Sequence, residues 1–375
     1  MSKTEKLLRE LIALPSVNPA FLPEQHPRAG EQRVGDFLAA TAASAGLDVE
    51  FQPVADRRSN LLARLTPRKK ASRRVLLAPH MDTVNAQDSQ FTPRKRNGKI
   101  FGRGACDTKG SIAAMLGALS HLARSGKRPD QTEIIFVGLV DEESAQAGSR
   151  ALVRTKLKAD LAIIGEPTRL QVVTAHKGSL WLKMETHGKA AHGALPYLGV
   201  NAVHTMARVV DLLETDYARQ LRQRRHPLLG MATVNVGAIS GGTQANIVPD
   251  YCSILVDRRT LPGEEEKRIT AAIHSLLRAK GLQATFCNLR DTPWLPLETN
   301  VKLPLVAQLL KTMRQTKPAG VNFFSDASVL SQGGIPSVLF GPGDIAHAHT
   351  TDEWVETSSL DRAEAMLRQF LLSLP

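Results

Sequence analysis

The sequence predicts an α/β protein, a mixed sheet flanked by helices and interrupted by an inserted ferredoxin-like α+β unit. Three observations predict it. Four short apolar runs (Val75–Ala78, Glu133–Val140, Leu161–Ile164 and Pro336–Phe340) read as buried strands, and each runs on into carboxylates or histidines. The segment 177–289 changes rhythm to strand–helix–strand–strand–helix–strand, the order of a ferredoxin-like unit. A chain of 375 residues is long enough for two domains. The expected division is 1–176 with 290–375 as one domain and 177–289 as the insertion.

Composition narrows the class. Hydrophobic content of 42% with 22% charged residues is that of a folded globular chain. No window reaches the roughly 18 apolar residues of a membrane span. Met1–Leu14 alternates charge with leucine and lacks the apolar core of a signal peptide. The cysteines Cys106, Cys252 and Cys287 are odd in number and far apart, which points to a reducing, cytoplasmic setting. A net charge of +12 raises a nucleic-acid hypothesis. Its clusters, Arg68–Lys70, Arg94–Arg96 and Arg219–Arg225, are not interleaved with aromatics, which make up only 5% of the chain. We read them as solvated faces that help gather anionic substrates, and expect neither a nucleic-acid nor a membrane partner. A polyanion-binding protein without turnover is the remote alternative.

In chain order, Thr4–Ala13 reads as a helix closed by the turn Pro15–Pro19, and Val34, Phe37, Leu38 and Ala42 mark a second helix within 30–46. Asp48–Val54 and Asn60–Leu65 are strand candidates. After Val75–Ala78, Pro79 is expected to end the ladder, and His80 and Asp82 follow two apart, on one side of an extended chain. That suits a metal-ligating histidine with a carboxylate orienting its ring, or equally a turn with a capping aspartate. Asn97-Gly98 signals a tight hairpin. Gly102, Gly104 and Gly110 then permit close backbone approach before a helix at Ser111–Arg124. Their spacing matches neither phosphate-loop pattern, and Asp107 by itself reads as a helix cap. Asp141-Glu142-Glu143 by itself reads as the acidic first turn of a helix at Ser144–Leu152. Glu166 follows the third apolar run; His347 and His349 follow the fourth. Four strands finishing this way point to a site in the crevice outside the strand ends of an open α/β sheet. In the insertion, strands are expected at Ser179–Thr186, Thr233–Ala238, Cys252–Val256 and Gln283–Asn288, with helices at Asn201–Gln223 and Glu264–Lys280.

Taken together, His80-Met81-Asp82, Gly102-Arg103-Gly104 with Asp107 and Lys109-Gly110, Asp141-Glu142-Glu143, Gly165-Glu166-Pro167-Thr168 and His349-Thr350-Thr351-Asp352-Glu353 resemble the M20 family of metallopeptidases and deacylases. Any one motif is weak; the set, in the family's order over most of the chain, is specific. The resemblance implies a di-zinc exopeptidase-type catalytic domain with an inserted lid and dimerisation domain. It implies two metals bridged by Asp107, with His80 and Glu166 completing one position and Glu143 and His349 the other. Glu142 would be the general base and Asp82 the partner of His80. Carboxylate and imidazole ligands without thiolate suit Zn²⁺ and admit Co²⁺ or Mn²⁺. His347 competes for the ligand role, but the Asp-Glu that follows favours His349.

The resemblance extends into the insertion. Gly188–Gly193 marks His192 as an oxyanion donor delivered to the partner subunit of a homodimer, and Gly241–Pro249 marks Asn246 as a substrate contact. Asp257–Gly263 marks Arg259, rather than Arg258, as the fork that holds a substrate α-carboxylate. Ser325-Asp326-Ala327 matches a pocket loop whose Asp326 would meet a substrate amino group. The implied reaction is metal-dependent removal of an N-acyl group, acetyl or succinyl in type, from an amino acid. A dipeptidase or carboxypeptidase with the same metal ligands is the alternative.

Overall fold

The computed structural model of the chain describes residues 1–290, 292 and 294–375. They form two compact units: Met1–Thr174 with Thr299–Ala319 and Ser325–Pro375, and Ala175–Glu298 with Gly320–Phe324.

The first unit is built on strands β1 (Asp48–Ala55), β2 (Arg58–Leu65), β3 (Arg73–Pro79), β4 (Thr132–Gly138), β5 (Leu161–Gly165) and β6 (Ser337–Leu339), in the spatial order β1-β2-β4-β3-β5-β6. The last four in that order are mutually parallel, while β1 and β2 are antiparallel, so the sheet is mixed. Its helices are α1 (Lys3–Ile12), α2 (Gln32–Ser44), α3 (Lys109–Ser125), α4 (Ala147–Arg154), α5 (Pro304–Thr312), α6 (Ala327–Gln332) and α7 (Thr357–Leu372). The inner stretches of the parallel strands, Val75–Pro79, Ile134–Gly138 and Leu161–Gly165, are apolar at every position because both of their faces are covered. Val75, Leu77, Ile134, Phe136, Leu161 and Ile163 make one face and share a core with Leu116 and Leu119 of α3 and Leu367 and Phe370 of α7. Gly165 is where β5 comes closest to its surroundings. A Cβ there would lie 2.7 Å from that of Pro79 and 2.8 Å from that of Ser111, so only glycine fits.

Pro79 does not end β3. It stays in parallel register with Gly165, and its carbonyl accepts the Leu139 N–H at 2.9 Å. Proline lacks only the donor, and here the carbonyl is the group the ladder uses. His80 is therefore held at the strand end, bridging to Leu139, and not in a free turn.

The second unit is a four-stranded antiparallel sheet ordered Thr233–Gly241, Tyr251–Thr260, Gly178–His187, Thr285–Asn288, with helices Ala202–Leu212 and Glu266–Ala279. Alternation decides its packing. Leu180, Leu182 and Met184 join Cys252, Ile254 and Val256 beneath Met206, Val209, Ile269 and Ile273. The single helix expected over Asn201–Gln223 is instead Ala202–Leu212, a π turn at Leu213–Tyr217 and Ala218–Leu221. The wide turn sets Tyr217 inward, where its hydroxyl accepts from Arg258 Nε at 3.0 Å. The unit also runs past residue 289, because Trp294 pairs with Ser179 and Leu297 and Glu298 pair with His176 and Ala175.

His176 is fully buried, with Nδ1 2.9 Å from the Lys177 carbonyl, and burial pulls its pKa down to about 4. The unfolded chain takes up a proton near pH 6.5, whereas the fold refuses it until about pH 4, so stability is lost as pH falls between the two. We expect this residue to remove about 2 kcal/mol of stability between pH 7 and pH 5. Urea unfolding of wild type and His176→Gln at both pH values checks it, and an unchanged pH slope in the variant refutes it.

Candidate active site

Because β3, β4 and β5 run parallel, the residues that follow them emerge along one edge of the sheet. His80 follows β3, Asp141–Glu143 follow β4 and Glu166 follows β5. Asp107 comes from the loop entering α3, and His349 follows a short 3₁₀ turn at Ile345–His347. Asp107 lies at the middle. Its Oδ1 is 3.1 Å from His80 Nε2 and its Oδ2 is 3.3 Å from His349 Nε2. His349 Nε2 is also 3.1 Å from Glu143 Oε1. Each carboxylate oxygen of Asp107 thus faces a different imidazole, the disposition of a bridging ligand. The liganding atoms of His80, Asp107 and Glu143 all lie within 4.8 Å of one another, a spacing that can hold a metal ion. His347 takes no part; its ring packs on Trp354 with centroids 3.9 Å apart.

Asp82 is completely buried and does more than orient a histidine. His80 Nδ1 lies 3.0 Å from its carbonyl and 3.4 Å from its carboxylate. The same carboxylate accepts the backbone N–H groups of Glu142 and Glu143, each at 3.1 Å, and Asn18 Nδ2 at 2.7 Å. Two consecutive N–H groups aimed at one anion require a turn, and Glu142 and Glu143 sit in a turn behind Asp141 (φ 70°), not in the first turn of a helix. The helix expected from Ser144 begins only at Ala147.

The edge carries buried negative charge that the protein does not balance. Burial pushes Glu166 well above the ordinary carboxylate range, and the charge of Asp107 adds to it. Burial does the same to Glu142, opposed by His80 and reinforced by Glu166. The Glu166 Oε1 atom has no partner although the residue is only 3% exposed. An orphaned buried oxygen beside several carboxylates and two imidazoles is the environment a divalent cation satisfies, and the donor set fits a metal centre. Asp326, 1% exposed, accepts from Ser149 Oγ at 2.6 Å, leaves Oδ2 without a partner, and is pushed by burial to a pKa of about 7.

Two functional residues escaped the sequence reading. Glu353, 1% exposed, accepts the N–H groups of Gly104 (3.0 Å), Cys106 (2.8 Å) and Asp107 (3.0 Å) and Arg103 NH1 (2.6 Å). It clamps the loop that aims Asp107, four residues along the chain from His349. Lys109 is fully buried; its Nζ donates to the carbonyls of Leu11 (3.0 Å) and Leu14 (2.8 Å), and burial lowers its pKa to about 7. Arg103, Lys109 and Glu353 all stand in the quoted motifs, but nothing in a linear sequence pairs residues 250 positions apart.

The remaining candidates belong to the second unit. Arg258 is 1% exposed and committed to Glu264 Oε1 at 2.7 Å, whereas Arg259 is half-buried with Nε 3.0 Å from Asp257 Oδ2. His192 is exposed, and its Nδ1 accepts the Ala194 N–H at 3.1 Å. The Gly193 N–H donates to the Asn246 carbonyl at 2.7 Å, which ties the loops of His192 and Asn246 together.

A parallel sheet edge with convergent carboxylates and imidazoles defines a candidate metal centre. Residues 76–373 match Peptidase family M20/M25/M40, and the chain belongs to that family, whose members hydrolyse amide bonds. It is 30% identical to the acetylornithine deacetylase of Proteus mirabilis over 98% of this chain and 95% of that one. It is 31% identical to the acetylornithine deacetylase of Myxococcus xanthus over 88% and 89%. Among solved structures, aminopeptidase PepT from Bacillus cereus superposes with a TM-score of 0.81 at 21% identity, covering 99% of this chain and 97% of that one. A dinuclear metal binding peptidase of the M20 family from Bacillus subtilis superposes with a TM-score of 0.72 at 14% identity, covering 98% and 96%.

The clamp makes a prediction. Glu353→Ala removes the acceptor for four donors around Asp107, so zinc affinity, read by competition with a chromophoric chelator, is expected to fall about tenfold or more. Wild-type affinity in a folded variant would show that the loop holds Asp107 without Glu353.

Proposed function

We propose that the protein removes an N-acyl group, acetyl or succinyl in type, from an amino acid at a centre holding two Zn²⁺ ions, with Co²⁺ or Mn²⁺ as substitutes. The observation that carries the proposal is Asp107, whose two oxygens address two different histidines. With Asp107 between them, His80 and Glu166 would hold one metal ion, and Glu143 and His349 the other. Cations held by these residues would supply the Lewis acidity that lowers the pKa of water and polarises the scissile carbonyl. Glu142 takes the proton of the attacking water and delivers it to the departing amine. Asp82 holds both the His80 ring and the Glu142–Glu143 turn, so the base and two ligands keep one relative geometry.

On the substrate side, Arg259 takes the α-carboxylate and Asn246 a polar contact, and the unpartnered oxygen of Asp326 meets a substrate ammonium. Arg259 suits this better than Arg258, whose guanidinium is already paired with Glu264 and buried. Relatives named acetylornithine deacetylase support the deacylase over the peptidase. The peptidase remains the second reading, favoured by the fold of its solved neighbours.

We further propose a homodimer in which His192 donates to the developing oxyanion of the partner subunit. Exposed Leu195, Tyr197, Leu198, Val200, Ile239 and Ile247 in the second unit support a second copy, as does Thr233–Gly241 standing at the end of its sheet. The three unpaired cysteines fit a cytoplasmic setting, and no helix among the described residues is long and apolar enough to cross a membrane.

A hydrolysis screen of N-acetyl and N-succinyl amino acids against dipeptides in added zinc tests the substrate class; faster cleavage of dipeptides would overturn the deacylase. Glu142→Gln is expected to keep the wild-type zinc content and lose about a hundredfold or more in turnover. Loss of metal together with activity would make Glu142 a ligand. His192→Ala is expected to be inactive alone and partly rescued when mixed with Glu142→Gln subunits. Sedimentation equilibrium of the mixture checks the dimer, and a dimer without rescue disproves the transfer of His192 between subunits.

A further inference from the structure

The second unit holds one cation that its own architecture leaves unanswered. Lys177 is 6% exposed, yet its ammonium has no hydrogen-bond or ion-pair partner among the described residues. The charges acting on it are the guanidiniums of Arg259 and Arg258, and both repel. Burial and these two arginines lower its pKa, as expected of a cation placed where the fold supplies no anion. Every other charge nearby is spoken for. Arg258 is paired with Glu264, and Asp257 accepts from both Arg259 Nε (3.0 Å) and Ser179 Oγ (2.7 Å).

The position is rigid. Ser179 pairs with Arg259 and Gly178 with Thr260. A Cβ on Gly178 would lie 2.4 Å from the Trp294 carbonyl oxygen and 2.5 Å from Thr260 Oγ1, so the strand next to Lys177 is fixed at van der Waals distance on two sides. The Lys177 N–H itself donates to the Val321 carbonyl at 3.2 Å. Asp257 pairs with Arg259 alone, so Lys177, one step along the strand from the Gly178–Thr260 and Ser179–Arg259 pairs, keeps an unanswered positive charge.

We infer that Lys177 and Arg259 form a two-cation clamp for the carboxylate of a small anionic ligand, with Lys177 supplying the uncompensated charge. Arg259 brings directional N–H donors and is itself oriented by Asp257. Lys177 brings a point charge that burial partly strips of water and that no anion answers, so an arriving carboxylate relieves a cost that the free protein carries. The clamp deepens the deacylase proposal, on which it rests for the identity of the bound anion as a substrate carboxylate.

Succinate, titrated calorimetrically into the zinc-loaded protein, reads the clamp without turnover, with succinamide as the uncharged control. Wild type is expected to bind succinate and not succinamide. Lys177→Met, which keeps the buried stem, should weaken succinate binding about tenfold or more, and Lys177→Arg should restore most of it. Should Lys177→Met fail to fold, Lys177→Gln takes its place in the same titration. Succinate binding that is absent in the wild type, unaffected by loss of the Lys177 charge, or matched by succinamide would overturn the clamp. The two proposals fail separately. Lys177-dependent binding without hydrolysis of any acylated amino acid or dipeptide would remove the deacylase and keep the anion site. Hydrolysis with Lys177-independent binding would remove the clamp alone.

Discussion

The first unit depends on a charge imbalance held out of water. At the end of three parallel strands the fold buries Asp82, Asp107, Glu142 and Glu166 against two imidazoles, one of them buried. A buried carboxylate without a counter-charge costs several kcal/mol, and protonating it is the usual escape. Burial duly pushes Glu142 and Glu166 upward. Two others are held down against their burial by the donors arrayed around them: Asp82 by His80 first, then Asn18 and the Glu143 N–H, and Asp107 by the two histidines. Where donors run out, at the free oxygen of Glu166, the imbalance is left for a cation to remove.

That constraint explains why the surrounding structure is so heavily tied. Glu353 collects four donors beneath Asp107, and the Thr108 hydroxyl donates to the His80 carbonyl at 2.9 Å. Lys109 reaches back to the carbonyls at the end of α1. Repelling carboxylates would drift apart unless their backbones were fixed independently. The fixing is done by residues that touch no ligand, and their loss should act through geometry and not through chemistry.

The parallel strands were legible in the sequence because doubly covered strands are apolar at every position, and Val75–Ala78 and Leu161–Ile164 have no polar interruption. The site was legible as residue types at strand ends, and the family motifs joined them. What could not be read was pairing across the chain. Nothing near Glu353 announces that it serves Arg103, and nothing near Asp82 announces two glutamate N–H groups. Pro79 misled because proline removes a donor, and the register decides whether that donor was needed. The return from the insertion lies later than the sequence suggests because Trp294 joins the second unit through a bridge, and Leu297 and Glu298 through a two-residue pairing, too short to show alternation.

The two units carry opposite surpluses. The first buries carboxylates that lack a cation, and the second keeps a lysine that lacks an anion. Metal ions answer only the first. A ligand that answers the second must bring negative charge of its own, and an amino acid acylated on its α-nitrogen retains just such a carboxylate. A dipeptide retains one too, so the proposed Lys177–Arg259 clamp would select for a free carboxylate without separating deacylase from peptidase. The ammonium makes that separation. In an acylated amino acid with a basic side chain the positive charge lies beyond the scissile amide on the side of the leaving amine, whereas in a dipeptide it sits on the acyl side. Asp326, buried with one oxygen unpartnered, is the acidic group that, on the proposed reading, would tell these two positions apart.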